Sequence, residues 1–285
     1  MIFKNIKRTN FIKMKCIAFF CFFIPFISLS QDFRFTYNYR FVSDTLKKDL
    51  VTNEIVVLDS YVEERRSVFT GLKHIISDST MMADVKKGIY SFPDGTMKIR
   101  YVVEKMNNVD LINFYTPDNM GDPVFKVTDD RKINWKISAE RERVLGYLAQ
   151  KATTFFGGRE WTAWFTPEIS IADGPYKFHG LPGLILKISD KTNTHSFEII
   201  SVQKQKSNYF ILNENDYKKA KQITLKEYEK MPNHLELFKS QALMGDVIFR
   251  DKEQEQKFMR DIDIQIKEKK IHDNNPIEIL DVLKN

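Results

Sequence analysis

The spacing of apolar and polar positions changes character three times along the chain. Cys16 to Leu29 is almost wholly apolar. From Phe33 to Phe41, aromatic and polar residues alternate one by one, the period of a strand buried on one face. Runs rich in β-branched and aromatic residues then recur to about Gln205: Glu54–Leu58, Ile89–Phe92, Met97–Val103, Val109–Tyr115, Pro123–Val127, Ile133–Ile137, Tyr147–Phe156, Trp161–Thr166, Leu184–Ile188 and His195–Val202. Asp94-Gly95 predicts a hairpin between the second and third of these. Asn107-Asn108 and Gly157-Gly158 return the chain in the same way. Leu72–Val85 reads as helix or strand, and Asp78 is a candidate N-cap for a short helix ending at Val85. Runs joined by short turns predict an antiparallel meander rather than βαβ units.

Past Asn213 the period lengthens. Thr224-Leu225-Lys226-Glu227 is a capping-box pattern. Leu235–Met244 follows Pro232 as a second helix, and Asp251 caps a third through Lys269, with Phe258, Ile262 and Ile266 on its apolar side. Asn274-Asn275-Pro276 stops that helix, and Ile277–Leu283 is expected to dock back. The expected fold is mainly β (α+β). Residues 31–212 form an antiparallel meander curved into a sheet, sandwich or incomplete barrel, and residues 213–285 are a helical segment packed on it.

The stretch Gly158–Asp190 holds two of the three tryptophans, three of the nine prolines and four of the eleven glycines. Trp161, Ala163 and Phe165 fall on one strand face and Thr162, Trp164 and Thr166 on the other, so a loop or ligand should cover the second aromatic face. Pro167 ends the ladder because it has no N–H to donate. Leu181-Pro182-Gly183-Leu184 predicts a type II turn, with Gly183 supplying positive φ. The long connection between the two strands predicts an ordered flap over the sheet.

Gly180-Leu181-Pro182-Gly183-Leu184-Ile185 matches letter for letter the hexapeptide that names the GLPGLI family. The flanking Gly158-Arg159, Trp161, Ala163-Trp164, Pro167-Glu168 and Asp173-Gly174-Pro175-Tyr176-Lys177-Phe178 resemble that family's longer pattern. Phe165 departs from it, standing where a tyrosine is expected. The resemblance implies an exported protein of Bacteroidetes-type bacteria and brings no established activity with it.

Export also follows from the first thirty residues. Lys4, Lys7, Arg8, Lys13 and Lys15 precede the apolar run, and Ser28-Leu29-Ser30 fits small-x-small cleavage before Gln31. The apolar core is shorter than the ~20 residues of a comfortable membrane span. Residues 1–30 are therefore read as a signal peptide, with the mature chain in the periplasm, on the outer membrane or secreted. The whole chain carries 44 Lys+Arg against 38 Asp+Glu; the leader holds five of the basic and none of the acidic residues, which leaves 39 against 38. A nearly neutral mature chain has no nucleic-acid footprint. Cys16 and Cys21, the chain's two cysteines, leave with the leader, so no disulfide is expected.

Candidate chemistry is sparse. The five histidines, His74, His179, His195, His234 and His272, form no HExxH or HxH pattern, and neither metal nor cofactor is expected. The serines lack a nucleophile-elbow context. Arg159, Trp161, Trp164, Phe165, Glu168, Asp173, Tyr176, Phe178 and His179 are the candidate ligand-binding residues, with Gly180–Ile185 as the motif beside them. Aromatic faces flanked by Asp, Glu and Arg suit a small molecule, glycan, lipid or peptide, or an envelope protein. The same aromatics also read as plain core. Arg159 and Glu160 read as a structural pair. A binding protein is the leading expectation; the alternative is an envelope hydrolase using Glu168, Asp173 and His179.

Overall fold

The computed structural model describes residues 31–106, 111–117, 123–205 and 217–279. Twelve strands lie side by side in one sheet. The first six are β1 (Asp32–Val42), β2 (Val51–Tyr61), β3 (Arg66–Gly71), β4 (Val102–Met106), β5 (Leu111–Tyr115) and β6 (Phe125–Asp129). The second group is β7 (Lys136–Val144), β8 (Tyr147–Phe156), β9 (Arg159–Thr166), β10 (Leu184–Asp190), β11 (His195–Gln205) and β12 (Lys221–Thr224). The spatial order is β12-β6-β5-β4-β3-β2-β1-β11-β10-β9-β8-β7. Two meanders thus run outward from the β1–β11 pair, and every pairing is antiparallel except β12 on β6.

The connectivity forces this sheet to curl. β6 and β7 are ten strand steps apart, which in a flat sheet is roughly 48 Å at the usual strand spacing. Only residues 130–135 join Asp129 to Lys136, and so short a segment reaches about 25 Å at most. The sheet bends to bring its two wings together without closing into a barrel. The flap, residues 167–183, fills the bend. Phe178 packs edge-on to Trp161 of β9 at 4.7 Å and to Phe156 of β8 at 5.9 Å, while Tyr176 meets Phe69 of β3 at 6.3 Å. One core therefore includes side chains from both wings and from the flap.

Local expectations hold where local chemistry decides them. β1 spans Asp32–Val42, as the alternation from Phe33 to Phe41 requires. Of the helices α1 (Leu72–Lys86), α2 (Leu225–Glu229), α3 (His234–Met244) and α4 (Lys252–His272), α2 has the Thr224–Glu227 capping box and α4 the Asp251 cap. α2 packs on the sheet, its Tyr228 ring 5.7 Å from Phe114, whereas α3 and α4 pack on one another through Phe238 and Phe258.

Three expectations are corrected. α1 begins at Leu72 with Gly71 at its N-cap, and Asp78 lies inside it, 3.6 Å from His74. No hairpin forms around Asp94-Gly95: the Glu54 carboxylate takes the N–H groups of Lys98 and Ile99, so those residues join no ladder before β4. The turn at Gly183 is not type II. Its N–H donates to Leu181 O at 2.7 Å, a three-residue turn about Pro182, while the Leu184 N–H goes to Ile169 O. The expected turn at Asn107-Asn108, Val109, and the docking of residues 280–283 lie outside the described residues.

Candidate functional site

The flap is held by a buried cation. Val103 and Lys105 share one face of β4, and that face points into the bend. Lys105 is 1 % exposed, and its ammonium lies 2.5 Å from Asp173 Oδ1. It also donates to the carbonyls of Gly174 (2.5 Å), Tyr176 (3.1 Å) and Phe178 (3.4 Å). Three alternate carbonyls of the flap thus converge on one nitrogen as they would on a metal ion. Burial pulls the Lys105 pKa down and the Asp173 charge opposes that. Tyr176, inside this turn, has φ +54°, a strained value for a bulky residue.

A second charged cluster lies on the other side of Tyr176. Arg131 forks onto Asp129 at 2.8 and 2.6 Å, and Lys177 reaches Asp129 at 2.9 Å. Both cations also hold Glu278, at 2.5 Å from Arg131 and 2.7 Å from Lys177, and the Tyr176 hydroxyl donates to the same carboxylate. Burial resists ionisation of Asp129 and Glu278, but the attached cations win and hold both carboxyls below their ordinary range. Tyr176 is pushed well up by burial and by the Glu278 charge.

Of the candidate residues, Trp161, Tyr176 and Phe178 come into ring contact and Asp173 is bridged to His179, while the others lie apart. Trp161, Phe165, Tyr176 and Phe178 are buried with their rings in core contacts, and Trp164 is half-buried. Arg159 pairs with Asp190 at 3.0 Å and with the Asn275 side chain, not with Glu160, which reaches Lys191. Two successive strand residues point to opposite faces, so the expected Arg159–Glu160 pair cannot form. Glu168 is exposed and accepts the Leu148 N–H. Asp173 is fully buried against Lys105. His179 is half-buried, with Nδ1 at 2.9 Å from Lys177 O, while its own carbonyl accepts the Trp135 indole N–H. In the motif, Leu181, Leu184 and Ile185 are core, Gly183 is buried, and Gly180 and Pro182 are exposed.

Lys105, Asp129, Arg131 and Glu278 all organise the site and escape sequence reasoning. Lys105 had a signal, since its alternation with Val103 puts a charge on an apolar face. Glu278 had none, because the docking segment follows a helix stop without periodicity. A groove of about 420 Å³ opens where the flap's outer edge meets β2, β4 and β5, lined by Ser60, Tyr61, Met106, Ile112, Ala172 and His179 among others. A larger hollow of about 850 Å³ lies over the outward-facing polar residues of β8 to β10, including Thr153, Thr162 and Ser189. Among the described residues no group of three or more His, Cys, Asp or Glu side chains is placed to hold a metal ion.

Comparison with known proteins adds little chemistry. The Porph_ging family model, described as a protein of unknown function, matches residues 156–187, the segment that carries β9, the flap and the hexapeptide. No curated protein matches the chain. Two solved structures of PNGF-II, in space groups P21 and C2, are 17% and 18% identical to it, each with a TM-score of 0.49 over 70% of this chain. The chain spans 32% of the length of those proteins. Among the described residues no helix is long and apolar enough to cross a membrane. The matched segment is thus similar to a domain of unknown function associated with Bacteroidetes.

Proposed function

We propose that this chain is an exported, non-catalytic binding protein of the GLPGLI type, acting at the cell envelope, and that its ligand enters the groove beside the flap. The observation that carries this reading is the groove itself. Its volume falls within the few hundred to a thousand cubic ångströms of ligand sites. Its lining mixes apolar Met106, Ile112 and Ala172 with the polar groups of Ser60, Tyr61 and His179. That mixture suits a ligand with an apolar body and a polar end.

The hydrolase reading needs two carboxyls converging on an imidazole. Glu168 instead holds the Leu148 N–H, Asp173 is locked to Lys105, and His179 Nδ1 faces the Lys177 carbonyl. The test is a panel of fatty acids, oligosaccharides and peptides titrated into the mature chain, read by melting temperature and by the fluorescence of Trp135, which touches the flap at His179. Ala172 is exposed on the groove wall, so Ala172→Phe should fill the groove and leave the fold intact. A saturable shift that Ala172→Phe abolishes supports the reading; no shift with any of the panel, or one that survives the substitution, overturns it. Export is tested separately. The intact mass of the envelope-fraction protein should correspond to a chain beginning at Gln31, and retention of residues 1–30 would refute cleavage there.

A further inference from the structure

After α4 the chain does not stop at the helix end; residues 274–279 cross both meanders as a strap. The strap is recognised by side chains and single backbone contacts, much as a peptide ligand is. Asn274 and Asn275 donate their N–H groups to Ser43 O, and Ile279 donates to Gly157 O at 2.8 Å. The Asn275 side chain donates to Val42 O and accepts from Arg159, which also binds Pro276 O at 2.6 Å. His195 Nε2 lies 3.0 Å from Asn275 O. Three residues on, Glu278 enters the Arg131–Lys177–Tyr176 cluster.

The receiving surface is shaped for this segment. A Cβ added at Gly157 would meet Glu278 Cγ at 2.7 Å, and one at Gly158 would meet Ile279 O at 2.7 Å. The charges fit as well. Asp129 balances one of the two cations and Glu278 the other. With Glu278 withdrawn, a buried site would keep one positive charge without a counterion, and leaving a buried charge unpaired is costly. Such a site selects an anion.

We propose that Arg131, Lys177 and the Tyr176 hydroxyl form the carboxylate pocket of a peptide-recognition site, with Arg159 and His195 reading an asparagine three residues before the acid. The chain's own strap fills the site in cis, and an acidic peptide with the same Asn-Pro-x-Glu spacing enters in exchange. This site shares no lining residue with the groove, so either reading can fail without the other.

The test uses a fluorescein-labelled peptide of residues 273–279 titrated into the full mature chain and followed by anisotropy. Binding to the wild-type chain should be at least tenfold weaker than to the Glu278→Gln chain, because a tethered strap competes at an effective concentration in the ~mM range. A peptide with Gln in place of its Glu should bind the Glu278→Gln chain at least tenfold more weakly than the native peptide. Absence of binding to both chains, or equal binding of the two peptides, overturns the proposal. If Glu278→Gln lacks a cooperative melt, hydrogen exchange of the wild-type chain decides. The Ile279 amide should exchange at least tenfold faster than the core amides of β1, and exchange only through global unfolding refutes a displaceable strap.

Discussion

Gly183 gives the sharpest test of how the flap is joined to the sheet. Its φ of +143° belongs to a region that only glycine occupies comfortably, and a Cβ there would sit 2.0 Å from Thr166 O and 2.6 Å from Thr166 C. Gly180, three residues earlier, also has positive φ, at +88°, but its nearest neighbour to an added Cβ is the Trp135 indole nitrogen at 4.0 Å. The two alanine variants therefore separate backbone strain from collision. Gly180→Ala should cost about 1 kcal/mol, the usual penalty for a left-handed L-residue. Gly183→Ala should carry strain of about 1–3 kcal/mol. It must also move Thr166, the last residue of β9, by roughly 1 Å against a packed neighbour, and overpacking of that kind costs a further ~1–3 kcal/mol. The expected loss is about 2–6 kcal/mol, a large part of the ~5–15 kcal/mol that holds a typical domain folded. Equilibrium unfolding in guanidinium measures both variants, and the midpoint should shift without a change in slope. If Gly183→Ala is no less stable than Gly180→Ala, the close approach to Thr166 does not govern the turn and the reasoning is refuted.

Three further outcomes follow from the buried polar groups. Lys105→Met leaves the buried Asp173 carboxyl without its cation and three flap carbonyls without their donor, so it should cost about 3–5 kcal/mol in a urea melt; a loss under 1 kcal/mol would show that the flap does not depend on the ammonium. Tyr37→Phe removes a buried hydrogen bond of 2.8 Å to Ile185 O and should cost about 1 kcal/mol by the same assay, with no effect expected only if water replaces the hydroxyl. His195 has its pKa lowered from 6.5 to about 4 by burial and by the nearby Arg159 charge. The folded state then binds fewer protons than the unfolded chain between those values, so stability falls as pH drops through that window. Between pH 7 and pH 5 the loss should be about 2 kcal/mol from this residue. His195→Gln should reduce the slope by that amount, and an unchanged slope would refute the assignment.

The elements read correctly from the sequence are those whose cause is local. β1 follows its own alternation, and the Thr224 and Asp251 caps satisfy N–H groups three residues away. β12 is not legible in the sequence because Lys221-Gln222-Ile223-Thr224 has no apolar alternation; it becomes a strand by pairing with β6. The aromatic flap was ambiguous for a different reason. Trp161, Tyr176 and Phe178 have the same composition whether their faces await a ligand or one another, and only the folding of the flap back over β9 puts them in contact.

The same distinction explains why the charges near the flap were hard to read. Lys105 meets Asp173, Lys177 meets Asp129 and Glu278, and Arg159 meets Asn275, each across a long stretch of chain. A satisfied buried ion pair adds little net stability over a well-packed apolar one, but a mismatched one is strongly unfavourable. The flap's position is therefore set less by how strongly it is bound than by the cost of every other arrangement. Shifting the flap by one residue would turn Asp173 away from Lys105 and Lys177 away from Asp129 and Glu278. The apolar side chains would tolerate such a slip far better than these charges. On that argument the Lys105–Asp173 pair and the Lys177 cluster fix the flap's register.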